Sequence, residues 1–170
     1  MSPRKYTAGE FLTEVVRPAL ATLGLKGGAA AEQLLLGTAM QESLLQYVEQ
    51  MGGGPARGYF QMEPDTHKDI WVNFLAYKPD IAKTVRGIAG VASGTPSSDL
   101  LKTNPQYAAA MTRVHYYRVK GSIPAAGNTA AMAAYWKEHY NTAGGAGSVD
   151  EFITKWDTFG ARGLFDPPMA

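Results

Sequence analysis

Apolar positions three and four residues apart recur along the chain and predict a succession of helices rather than strands. Thr7-Ala8-Gly9-Glu10 has the form of a capping box, with Thr7 capping a helix and Glu10 reaching back to its start. Phe11, Val15, Leu20 and Leu23 carry that helix to about Leu23, and Pro18 is expected to bend or divide it. After a break at Gly27-Gly28, Ala29 to about Gln50 is rich in Ala, Leu, Glu and Gln. It predicts the strongest helix of the chain, stopped by Gly52-Gly53-Gly54-Pro55.

The period is lost over 52–63, where Gly58-Tyr59-Phe60-Gln61-Met62 reads as a short strand or an ordered loop. Pro64 suits the first turn of a helix through Ile70, Trp71, Phe74 and Leu75, and another follows Pro79-Asp80. Beyond a loop at 94–98, Asn104-Pro105 opens a helix through Met111, Val114 and Tyr117 that closes near Gly121. A further helix covers roughly Asn128 to Tyr140. A flexible break at 144–147 then leads to a second capping box, Ser148-Val149-Asp150-Glu151, and a helix through Phe152, Ile153 and Trp156. The expected fold is mainly α, a single domain over 1–170 of about six to eight helices with one small β-like or irregular segment. The termini, 1–6 and 164–170, are expected to be loose.

Composition narrows the chemistry. Hydrophobic residues make up 45% and charged residues 18%, the balance of an ordinary globular domain. The net charge is +1 and the signs are interspersed, so there is no nucleic-acid footprint. No apolar run is long enough for membrane insertion, and Arg4-Lys5 is not followed by the apolar core of a signal peptide. The absence of cysteine excludes disulfides, thiolate catalysis and Cys-ligated zinc. His67, His115 and His139 lack ligand spacing, so no metal is expected; Gly52-Gly53-Gly54 lacks the Lys-Ser/Thr of a phosphate loop, and no cofactor is expected. Ser97 and Ser98 have no nucleophile-elbow context. Trp71, Trp136 and Trp156 sit among apolar neighbours and are expected to pack in the core.

One carboxylate is out of place. Leu35, Thr38, Ala39 and Leu45 share a helical face with Glu42. A glutamate there is partly desolvated, which raises its pKa toward the range a general acid needs near neutral pH. It also stands close to the glycine-rich segment, which could wall a cleft, and Tyr47, Tyr59 and Phe60 could stack on sugar rings. The plainer alternative is a partly buried glutamate paired with Arg57 or Arg113.

Three segments in order, Glu42-Ser43, Gly58-Tyr59-Phe60-Gln61-Met62 and His139-Tyr140-Asn141-Thr142, resemble the motifs of the lysozyme-like lytic transglycosylases. Small phage-encoded members look most similar. The resemblance implies a lysozyme-like domain in which Glu42 is the sole catalytic acid/base and Ser43 helps position substrate. Gln61 and the Gly58–Met62 backbone line a glycan cleft, Tyr140 hydrogen-bonds near Glu42 and tunes it, and Asn141 holds the local turn or contacts sugar. Departures are His139 and Thr142, where the family carries small residues, and Phe60, where Met or Leu is commoner.

The implied activity is cleavage between N-acetylmuramic acid and N-acetylglucosamine in peptidoglycan, with closure of a 1,6-anhydro ring. Hydrolysis is the alternative and uses a second carboxylate, for which Glu49, Glu63, Asp65 and Asp69 are the nearest candidates in sequence. The implied partner is the glycan strand, and other virion tail proteins are further candidates. The protein is expected in a virion, or made in a host cytoplasm and acting in the periplasm, during phage genome delivery or lysis. A structural virion protein retaining the fold as an assembly module is the competing reading.

Overall fold

The computed structural model describes residues 2–141 and 145–165, and the fold is mainly helical. Thr7 opens α1 (Ala8–Phe11) with the expected reciprocal bonds: its hydroxyl accepts from the Glu10 N–H, and its own N–H donates to the Glu10 carboxylate. The chain then widens into a π turn at Leu12–Val16 and resumes as α2 (Arg17–Leu23). Pro18 lies in the first turn of α2, where its missing N–H and its ring are accommodated by the widened turn.

The central helix is α3 (Gly28–Ser43). Leu34, Leu35, Leu36, Ala39 and Met40 are all buried, so α3 is enclosed around its circumference and carries no single apolar stripe. It ends at Ser43, well before the Gln50 that its composition predicts. Leu44 and Leu45 adopt left-handed conformations, with φ of 54° and 57°. Such strain in a branched side chain persists only where the surroundings impose it. Here Leu45 is fully buried and its carbonyl accepts from the Tyr6 N–H at 2.9 Å.

The segment after α3 is an ordered turn held by isolated bridges of Arg57 with Glu49 and with Met62, not a strand. Gly58 has a φ of 78°, and a Cβ there would collide with the carbonyl oxygen of Leu101, so only glycine fits this close approach. The remaining α-helices are α4 (Pro64–Asn73), α5 (Pro79–Ala89), α6 (Leu100–Thr103), α7 (Pro105–Tyr117), α8 (Thr129–Trp136) and α9 (Val149–Thr158), with short 3-10 turns at Leu75–Tyr77 and Ala161–Leu164. Helix α7 stops short of Gly121, at Tyr117. Helix α8 runs into a second π turn, Lys137–Asn141. Ser148 and Glu151 form the anticipated capping box of α9.

Helices α7, α8 and α9 pack on α3 around one hydrophobic core. A buried polar brace spans α4 and α7. The Trp71 indole donates to the Tyr107 hydroxyl at 3.0 Å, and that hydroxyl bonds the His67 ring at 2.7 Å. Burial holds His67 down to about 4, so the ring is neutral near pH 7.

Arg4, Tyr6 and Phe165, near the two ends of the described chain, are docked on the rest of the fold. Arg4 accepts the Tyr59 hydroxyl on its carbonyl, Tyr6 packs edge-on against Phe11 and Tyr59, and the Arg4 guanidinium pairs with Glu10 and Glu14. At the other end Phe165 stacks on Trp156, while Pro167-Pro168 lies outside the described residues.

Candidate active site

The early stop of α3 decides where Glu42 stands: it is in the last turn, beside the point where the backbone reverses. Its Oε1 accepts a hydrogen bond from the Trp136 indole N–H at 2.9 Å. Trp136 is fully buried and packs against Phe152, so the donor is held rigidly. Burial pushes the Glu42 carboxyl from an ordinary 4.5 up to about 7. The Trp136 bond, the positive charge of Lys155, the Asn141 amide and the charge of Lys137 oppose that rise, in that order. The result is a carboxyl close to half-protonated at neutral pH, able both to give and to take a proton.

Neither arginine of the plainer alternative pairs with it. Arg57 bonds Asp99 at 2.7 Å and the Ser98 hydroxyl, and Arg113 donates to the Lys26 carbonyl.

Glu42 lines an open cavity of about 670 Å³. Gln61, Met62, Tyr140 and Asn141 line it too, so the structure brings together members of all three sequence segments. Gln61 reaches this wall with a φ of 49°, and its side-chain amide donates to the Gly58 carbonyl at 2.9 Å. Asn141 donates from Nδ2 to the Ala146 carbonyl at 2.7 Å, which holds the local turn. Tyr47, about one-third exposed at 37%, stands on the cavity wall as the accessible aromatic there.

Other expected site residues lie elsewhere. Ser43 is buried, its hydroxyl donating to the Ala39 carbonyl and accepting from the Leu45 N–H; it shapes the helix end and does not line the cavity. Gly58 acts through its conformation and sits against Leu101. Tyr59 and Phe60 are core residues packed on Phe11, which removes both from sugar stacking.

Tyr140 shares the cavity wall with Glu42 and makes its hydrogen bond to the backbone there. Its hydroxyl donates to the Phe60 carbonyl, not to Glu42, and its ring packs against His115 and Tyr116. It ties the Gly58–Met62 turn to the end of α8, and the nearby Glu42 charge adds to burial in keeping its phenol neutral. Thr142 lies outside the described residues.

The four candidate second carboxylates, Glu49, Glu63, Asp65 and Asp69, all line the same cavity. Glu49 pairs with Lys102, and Asp69 with Arg118, which also contacts the His115 ring. His139 lines the cavity as well, beside Tyr135.

Comparison with known protein families, curated proteins and solved structures found no match to this chain. The site therefore rests on its own geometry. Trp136 is in the core as its apolar neighbours predict, but its bond to Glu42 was not foreseen, and neither were the charges of Lys137 and Lys155 beside that carboxyl. Trp136 lies four positions before Tyr140, and that spacing, which puts both on one face of a helix, was the available signal.

Proposed function

We propose that the chain cleaves the bond between N-acetylmuramic acid and N-acetylglucosamine in peptidoglycan, in the manner of a lytic transglycosylase on a lysozyme-like scaffold. One observation carries the reading: a carboxyl with a pKa of about 7 on the wall of an open cleft, oriented by a buried indole N–H. Glu42 protonates the glycosidic oxygen as the bond breaks. The resulting carboxylate then takes the proton of the muramic C6 hydroxyl, whose oxygen closes on the anomeric carbon to give the 1,6-anhydro product. The substrate supplies the nucleophile, so a single proton carrier suffices. Proton transfer by such a group contributes about 10²–10⁴-fold to rate.

A specific observation favours a second reading, hydrolysis. Glu63 and Asp65 share the cavity and take part in no ion pair among the described residues, so either is free to activate a water. In both readings the partner is the glycan strand, and the proposed setting is phage genome delivery or host lysis.

The test is turbidity loss of permeabilised Gram-negative cells, followed by mass spectrometry of the soluble muropeptides. Glu42→Gln is expected to lose about 10²–10⁴-fold in rate. Equal activity of variant and wild type rejects the assignment. Products one water lighter per cut support ring closure, and reducing ends support hydrolysis.

A further inference from the structure

Three hydrogen bonds converge on one ammonium group beside the cleft. Lys137 Nζ donates to Asn141 Oδ1 at 2.7 Å, to the Gly145 carbonyl at 3.0 Å and to the Gly147 carbonyl at 2.9 Å. An ammonium has three protons, so its donor capacity is filled by neutral oxygens. Among the described residues no carboxylate pairs directly with it, and its charge acts on the Glu42 carboxyl. Asn141, Gly145 and Ala146 all face the cavity.

The bond to Oδ1 also fixes which way the Asn141 amide is turned. With its oxygen on Lys137, the nitrogen is left to donate to Ala146 and to favour the charged form of Glu42.

We propose that Lys137 is a positioning residue for proton transfer by Glu42. It orients the Asn141 amide, ties that side of the cleft to Gly145 and Gly147, and supplies positive charge to the carboxylate that forms when Glu42 gives up its proton. The inference rests on the function proposed above. Its physical basis is that pre-oriented donors and charge stabilise a developing anion without reorganising. Burial alone would hold the proton on Glu42 more tightly and make it a weaker acid in the first half of the reaction, and donors and positive charge beside it oppose that. The other titratable groups facing Glu42 are Lys155 from α9, Tyr116 from α7, and Tyr140 from the π turn that carries Lys137.

The test is a carbon-detected NMR titration of the Glu42 carboxyl in wild type and in Lys137→Met, Lys137→Gln and Lys137→Arg, with kcat and KM measured on the same samples. In both neutral variants the Glu42 midpoint is expected to rise by about one pH unit, a tenfold tighter hold on the proton. In those variants kcat is expected to fall more than KM changes, while Lys137→Arg titrates as wild type does. Neutral variants that titrate like wild type overturn the proposal, and so does an arginine variant that titrates like the neutral ones. Loss of the fold in both neutral variants also overturns it, in favour of scaffolding alone. The titration needs no cleavage, so a wild type inactive on peptidoglycan would sink the proposed function while leaving the coupling of Lys137 to Glu42 measurable.

Discussion

Replacing Glu42 with glutamine is expected to remove activity and to stabilise the fold, with a stabilisation that depends on pH. The carboxyl titrates at about 7 in the folded chain against 4.5 ordinarily. At about 1.4 kcal/mol per pH unit, that gap amounts to about 3 kcal/mol. Below pH 4.5 the acid is protonated whether folded or unfolded, so it imposes no penalty. As pH rises from 4.5 towards 7, the unfolded chain releases this proton while the folded chain retains it, and folding stability falls; above about 7 the loss is complete. Glutamine mimics the neutral acid at every pH. Urea unfolding of both proteins at pH 4 and pH 8.5 isolates the effect, because every other titrating group is common to the pair and cancels. The advantage of the variant is expected to grow by about 3 kcal/mol between these conditions, or roughly 6–12 °C in Tm for a chain of this size. An advantage equal at both pH values would refute the claim that burial holds this proton.

Trp136→Phe removes the N–H that favours ionised Glu42. The pH–rate profile is expected to shift its Glu42 limb upward by about one pH unit, and a shift downward would contradict the bond's role. Gly58→Ala meets both an unfavourable φ and the Leu101 carbonyl. It is expected to cost at least about 2 kcal/mol in chemical unfolding, and a neutral result would show the turn to be less constrained than described.

Local signals were the legible ones. Both capping boxes were readable because each is closed within four consecutive residues. Pro64, Pro79 and Pro105 likewise marked first turns, since proline lacks a donor that those positions do not use. Glu42 was visible as an acid sharing a helical face with Leu35, Thr38, Ala39 and Leu45. The end of α3 was not legible, because the sequence carries no glycine or proline at Leu44-Leu45. The reversal is imposed there by burial of Leu45 and by its bond to Tyr6. Tyr59 and Phe60 were misplaced for a related reason. An aromatic in a loop serves a core or a ligand equally well, and only the tertiary position of Phe11 decides. The Trp136 bond to Glu42 joins positions 94 residues apart, a separation to which no local pattern is sensitive.

The docking of Arg4 and Tyr6 has a practical side. One backbone N–H in this short stretch holds the reversal that follows α3, and one carbonyl holds the tyrosine beside Gly58. Both banks of the groove thus hang from the same leading segment. Anyone trimming the chain for crystallisation, or fusing a tag in place of residues 4–6, would be altering the foundations of the groove while believing the edit to be remote from it.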